Sequence, residues 1–241
     1  MIVSDVFQSL SFGEFSNISV SDNGSGSIQE DQTAKVIHYL NEGLLRIYSR
    51  FFLKEGVLIL KTDEEISHYH LLKAYAESSG SDKDHYILDL EDPFTEDLLK
   101  IISVYNLTRH FEHPLNDRMH RQSVFTPQSH ILRIPEPITD EELKVTYQAK
   151  HIKLYKPGEA GGISVEDVLS QYIDMPVFLE EALRNYVAFK WYSNMNGPEN
   201  ASRSKDFFQS YDMICNDLER KDMPNESEHV SHDKLESRGF V

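Results

Sequence analysis

Apolar residues recur at helical spacing near both ends of this chain and at strand-like spacing in its middle. Near the start, Ile2, Val3, Val6, Phe7 and Leu10 fit a short amphipathic helix over residues 2–12. Residues 16–27 are rich in Ser, Asn, Gly and Asp, and Asp22-Asn23-Gly24 marks a turn among them. Val36, Ile37, Leu40, Leu44, Ile47, Tyr48 and Phe51 then form one stripe. It predicts a helix that starts between residues 27 and 31 and ends near Phe52. Arg46 and Arg50 sit toward its C-terminal end, where they complement the helix dipole. Gly43 inside that helix costs about 1 kcal/mol against Ala, and the use that offsets this is close approach of a neighbouring helix.

The middle of the chain reads differently. Val57, Leu58, Ile59 and Leu60 make an apolar run of strand length within residues 56–62, and residues 69–76 and 85–90 read similarly. Residues 77–84 are a polar connector. Residues 93–100 read as a helical turn capped by Thr95, leading into residues 101–107. Residues 125–127 and 131–134 read as strands broken by prolines. Leu143, Val145, Tyr147 and Ala149 alternate with Lys144, Thr146 and Gln148, the pattern of a half-exposed strand. Residues 156–162, with Pro157, Gly158, Gly161 and Gly162, form a loop.

The last third predicts two strong helices and a polar tail. The first begins near Pro176 and carries Phe178, Leu179, Ala182, Leu183, Tyr186, Val187, Phe189 and Trp191. A surface helix needs an apolar arc of only about 100°. Phe178, Phe189 and Trp191 widen this one well beyond that, so it is expected to be buried on two sides. One side is the protein's own core, and the other is either a neighbouring subunit or the inserted β segment. The second helix runs from about Glu199 to Arg220 with Ala201, Phe207, Phe208, Tyr211, Ile214, Cys215 and Leu218. Asn196-Gly197-Pro198 between them is a helix stop followed by a helix start. The expected fold class is α+β: N- and C-terminal helices forming a helical bundle, an inserted β-rich segment, and an extended C-terminal tail. The corresponding boundaries are 1–55, 56–165, 166–221 and 222–241.

Composition narrows the function classes. With 39% hydrophobic and 11% aromatic residues in 241, the chain has material for a real core. Its 40 acidic and 24 basic residues give a net charge of -16. That is a poor footprint for sequence-reading nucleic-acid binders and for anionic membrane surfaces. It suits a basic partner, or a channel through which nucleic acid slides without sticking. One cysteine, Cys215, excludes a disulfide framework, and its place on the last helix's apolar face reads as a buried structural thiol. No apolar run approaches the roughly 18 residues of a membrane span, and the N-terminal residues lack the basic and small-residue features of a signal peptide.

Candidate chemistry is sparse. His68 and His70 share one face of a strand, His110 and His113 flank Glu112, and His229 and His232 lie near Asp233. None falls in a His-Glu-x-x-His arrangement, and isolated pairs on exposed segments read as solvated surface. There is no nucleophile elbow and no Walker-type lysine loop; residues 158–162 are a turn. Glu180 and Glu181 favour a helix start, and Asp140-Glu141-Glu142 is an acidic turn before a strand. No catalytic residue, metal ligand or cofactor is assigned. In the tail, Met223, Val230, Leu235, Phe240 and Val241 are spaced like anchors along an otherwise polar segment, which reads either as a terminus with no role or as a segment that folds on binding.

Three stretches carry a family resemblance. Residues 176–188, running from Pro176-Val177-Phe178 to Tyr186-Val187-Ala188, continue through Ser193-Asn194-Met195-Asn196-Gly197 and Glu199-Asn200 to Phe207-Phe208-Gln209-Ser210-Tyr211. This pattern resembles the final helical hairpin of head-to-tail adaptor proteins of short-tailed bacteriophages. Residues 44–51, Leu-Leu-Arg-Ile-Tyr-Ser-Arg-Phe, running into Lys54-Glu55, resemble the matching N-terminal helix. The resemblance covers about half the chain and leaves the β segment unmatched. It implies a virion protein in the neck between capsid and tail, made in the host cytoplasm, with no enzymatic activity. Such adaptors form a homo-oligomeric ring, commonly of twelve copies, beneath the portal protein. They extend the channel for double-stranded DNA and receive the tail tube or nozzle protein. The implied docking arm carries Met223, Val230, Leu235, Phe240 and Val241, and the implied subunit packing uses Phe178, Phe189, Trp191 and Phe207. Competing readings are a tail-tube or stopper component, a small metal-dependent hydrolase using the middle His and carboxylate groups, and a cytoplasmic interaction protein.

Overall fold

A computed structural model describes residues 1–16, 27–159, 161–221 and 223. The predicted turn at residues 22–24 and all of the tail at residues 222–241 except residue 223 lie outside the described residues. The chain is a mixed α+β protein whose described residues hold five α-helices and two antiparallel sheets. It divides into two compact units. The first comprises residues 1–52 and 153–241, and the second residues 53–152.

In the first unit, α1 (Val3–Phe12) buries Val3, Val6, Phe7 and Leu10 on one stripe. Its start is tied to a distant segment: Val3 N–H donates to Gln171 O at 3.0 Å and Ile173 N–H to Met1 O at 2.8 Å. α2 (Glu30–Arg50) opens on Glu30 and Asp31 and closes on Arg50, matching the dipole at both ends. Its stripe from Val36 to Tyr48 is buried. α3 (Val165–Leu169) was not foreseen, although Ser164 and Asp167 spell a capping pair. Ser164 Oγ accepts from Asp167 N–H at 3.1 Å, and Asp167 accepts back from Ser164 N–H at 3.3 Å. A 3₁₀ turn at Val177–Leu179 leads into α4 (Glu180–Ser193), and α5 (Pro198–Arg220) follows. α4 packs against α1, α2 and α5. A β-carbon on Gly43 of α2 would lie 2.7 Å from Leu183 Cδ1 and 3.1 Å from Tyr186 Cδ1. Only glycine lets the two helix backbones approach this closely.

The second unit is built on sheets. The larger has the order β3-β1-β8-β4-β5, with β1 at Glu55–Lys61, β3 at Ile87–Leu88, β4 at Leu98–Asn106, β5 at Phe111–His113 and β8 at Glu142–Ala149. The smaller has the order β2-β7-β6, with β2 at His68–His70, β6 at Phe125–Gln128 and β7 at Ile131–Arg133. Leu58, Leu60, Val104 and Val145 from the first join Tyr69 and Leu132 from the second in one core.

The structure departs from the sequence pattern at three places in this unit. β8 is not half exposed, because it lies at the centre of the larger sheet; Thr146, on the face read as polar, is buried. Residues 93–100 form no helical turn. The Asp89 carboxylate instead accepts from the N–H groups of Phe94 and Ser78, both at 2.8 Å, and wraps the loop around itself. Of residues 69–76 only Tyr69 and His70 belong to a strand, β2; the chain then turns through a 3₁₀ segment at Lys73–Tyr75.

Candidate interaction surface

The hairpin of α4 and α5 is closed by an aromatic seam. Gly197 takes φ of 112°, a conformation that L side chains rarely adopt, and Pro198 opens α5 directly after it. Tyr186 of α4 meets Tyr211 of α5 edge-on at 5.4 Å, Phe189 meets Phe208 at 5.0 Å, and Tyr192 stacks on Phe207 at 5.4 Å. Each such pair adds about 0.5–1.5 kcal/mol beyond its area burial. Cys215 is fully buried in the same layer, and burial pushes its thiol above the ordinary value. A thiol held protonated this way is a packing group and a poor nucleophile.

Arg50 locks the far end of the hairpin to α2. Its Nε and Nη2 donate to the two oxygens of Glu219 at 2.7 and 3.0 Å, Nη1 to Asp212 at 3.0 Å, and Nη2 to Asn216 at 2.6 Å. The hydrogen bond to Glu219 leads the causes that hold the guanidinium charged, and the same bond lowers the Glu219 carboxyl. Near the start of α4, Arg184 reaches both oxygens of Glu14, at 3.1 and 3.2 Å. Burial nonetheless raises the Glu14 carboxyl.

The residues singled out by sequence are spread over this surface and its interior. Trp191 is only 4% exposed. It lies 5.4 Å from Phe15 and 6.1 Å from Tyr39, with the Lys35 ammonium 4.1 Å from its ring centre. Phe189 and Phe207 are half-buried in the seam. Phe178 stands partly exposed on the 3₁₀ turn. The wide apolar arc of α4 is covered by α1, α2 and α5 of its own unit, so the arc is no argument for a neighbouring subunit. Met223 is exposed, while Val230, Leu235, Phe240 and Val241 lie outside the described residues. Sequence reasoning missed Val177, 74% exposed, and Met213, 67% exposed. Met213 was findable as an apolar residue off the stripe of α5. Phe208, read as part of the buried stripe, is 40% exposed.

The histidines of the middle segment do not converge. His68 and His70 lie on the face of β2 opposite buried Tyr69, and the His70 ring stacks on Tyr75 at 5.8 Å. His113 Nδ1 lies 2.7 Å from Gln122 O, which makes Nδ1 the protonated nitrogen. His113 lines a cleft of about 230 Å³ with Arg109, Arg121, Glu136 and Glu141. The charges there are paired, Arg121 with Glu136 at 3.2 Å and Arg109 with Glu141. The pair His229 and His232 lies outside the described residues. Among the described residues there is no group of three or more His, Cys, Asp or Glu that could hold a metal ion, and no helix long and apolar enough to cross a membrane. In comparisons with known proteins, no family matches the chain and no curated protein matches it.

Proposed function

We propose that this protein is a structural connector of a virion: a head-to-tail adaptor that forms a ring beneath the portal, extends the DNA channel and receives the tail. In this reading the helices of the first unit are the bundle that packs side by side around the channel. The observation that carries it is the surface of the hairpin that resembles adaptor sequences. Val177, Phe178, Phe208 and Met213 keep large apolar side chains in solvent there. Side-by-side packing of copies in a ring would cover such surface. The net charge of -16 supports a channel wall that does not hold DNA.

The test is to mix the purified protein with portal rings from the same source and image the mixture by electron microscopy. The expected result is an added ring coaxial with the portal. Monodisperse protein beside bare, intact portals would end the adaptor reading and favour a tail-tube or stopper component. Removing residues 222–241 is expected to abolish docking while the helices stay folded; normal docking by that truncation would remove the arm from the proposal.

A further inference from the structure

The edge of the larger sheet at β1 is incomplete. β1 pairs with β8 along its whole length, Glu55 opposite Gln148 through Lys61 opposite Glu142. On its other side β3 is opposite only Ile59 and Leu60. The hydrogen-bond phase is fixed by two bonds on the β8 side: Thr62 N–H to Glu141 O at 2.8 Å and Ala149 N–H to Lys54 O at 2.9 Å. Even-numbered residues of β1 therefore bond to β8, and Val57, Ile59 and Lys61 turn their N–H and C=O away from it. Lys61 uses this side to reach Tyr86 O at 2.9 Å. The register that sets Ile59 opposite Leu88 would set Val57 opposite Leu90. Leu90 has left the strand and is 72% exposed. The ladder thus stops one step short, and the Val57 backbone faces a groove.

That groove measures about 880 Å³ and is lined entirely by residues of the second unit. Its floor is the Tyr147 ring, which lies so close over Gly56 that a β-carbon there would come within 2.3 Å of it. Val57, Leu90 and Ile152 offer it exposed apolar side chains. Its rim carries Glu91, Asp92 and Glu142, all exposed. The one lysine or arginine lining it, Lys54, is held by Asp97 at 3.2 Å. Among the described residues, Glu91 and Asp92 form no ion pair with a lysine or arginine.

We propose that this groove binds an extended, basic peptide segment of a partner protein, which continues the line of β3 and adds a strand beside β1 at Val57. Strand addition at an open sheet edge supplies main-chain hydrogen bonds, while flanking side chains choose the sequence. Here the apolar wall takes alternate apolar residues, and the acidic rim selects lysine or arginine between them. This inference concerns the second unit and does not rest on the connector reading.

The test uses the full-length protein and a fluorescein-labelled peptide of alternating lysine and valine, followed by fluorescence anisotropy. Two control peptides are needed: one with alternate backbone amides N-methylated, which cannot complete a ladder, and one with the same lysines spaced by glycine and serine. The expected result is saturable binding of the first peptide and at least about tenfold weaker binding of both controls. The double substitution Glu91→Lys with Asp92→Lys, both on exposed side chains, is expected to weaken binding by a similar factor. Reversing Glu199 and Asp206 on α5 to lysine is expected to leave it unchanged. Equal binding of the three peptides, or equal loss from both double substitutions, would overturn the proposal in favour of attraction to a net negative surface, and no binding at all would overturn it outright.

Discussion

The guanidinium of Arg50 forms a two-bond fork on the carboxylate of Glu219, at 2.7 and 3.0 Å, and ties the last turn of α2 to the last turn of α5. The two residues are 169 positions apart, so this contact closes the first unit across the whole chain. Arg50 is mostly covered and also holds Asp212 and Asn216. Arg50→Ala is expected to cost about 1–2 kcal/mol, above the range of an isolated surface pair because three acceptors lose one donor. Arg50→Lys should recover only part of this, because an ammonium cannot reproduce the fork. Urea unfolding of the three proteins checks it; a lysine variant as stable as the parent would contradict the fork's role.

The same pair predicts a pH dependence. The Arg50 hydrogen bond lowers the Glu219 carboxyl below its ordinary value of 4.5. A carboxyl lowered by folding contributes stability that is complete above the unfolded value and is lost as pH falls through the folded one. The stability gap between the parent and Glu219→Gln should therefore be widest at neutral pH and shrink as pH drops below 4.5. Urea midpoints at several pH values read this directly. A gap that grows on acidification would show that Glu219 is not held ionised by Arg50.

Gly43→Ala sets two known effects against each other. Alanine favours the helix by about 1 kcal/mol. The added carbon, however, lands 2.7 Å from Leu183 Cδ1 and 3.1 Å from the Tyr186 ring, and both neighbours are buried. Overpacking of this kind costs about 1–3 kcal/mol, so the net change should be destabilising. Gly43→Val should be worse on both counts. Thermal unfolding of the two variants decides; an alanine variant more stable than the parent would mean that α2 and α4 separate easily at this point.

Trp191 is the chain's single tryptophan, and it sits under the Lys35 ammonium between Phe15 and Tyr39. Its emission should be blue-shifted, resistant to iodide, and red-shifted when the first unit unfolds. Trp191→Ala should cost about 3–5 kcal/mol, from the lost burial and the cavity left behind together. Trp191→Phe should cost clearly less, since among the described residues the indole Nε1 has no hydrogen-bond partner to lose. Chemical unfolding followed by circular dichroism ranks the two; equal losses would mean that the indole nitrogen contributes after all.

The elements that the sequence made legible are those whose burial is one-sided or whose caps are local. The stripe from Val36 to Tyr48 defined α2 within a few residues, and Asn196-Gly197-Pro198 marked the turn into α5. Gly43 pointed to a close helix approach before any partner was known. β8 was misread because alternation in a central strand records which side chains fit each layer, not which face is wet; Thr146 is buried without being apolar. The loop after Asp89 was misread because Pro93 and Thr95 describe a helix start, whereas the deciding contacts come from a carboxylate four and more positions earlier. The incomplete edge at Val57 was invisible for a similar reason. It depends on where β3 stops, and β3 pairs over only two residues.

Cys215 provides a chemical clock for the first unit. It is fully buried on α5 against the aromatic seam, and burial raises its thiol above the ordinary value. Both effects suppress the thiolate, which is the reactive form. In native buffer the thiol should therefore react with Ellman's reagent far more slowly than free cysteine, and its full reactivity should appear only when α5 leaves α4. The rate should rise with urea in parallel with the Trp191 emission shift, because both residues report the same packed unit. Arg50→Ala should accelerate labelling at zero denaturant by loosening the far end of α5. Rapid labelling of the folded parent would mean that the hairpin opens on its own, and would set the stability of the α4–α5 seam well below that of the rest of the unit.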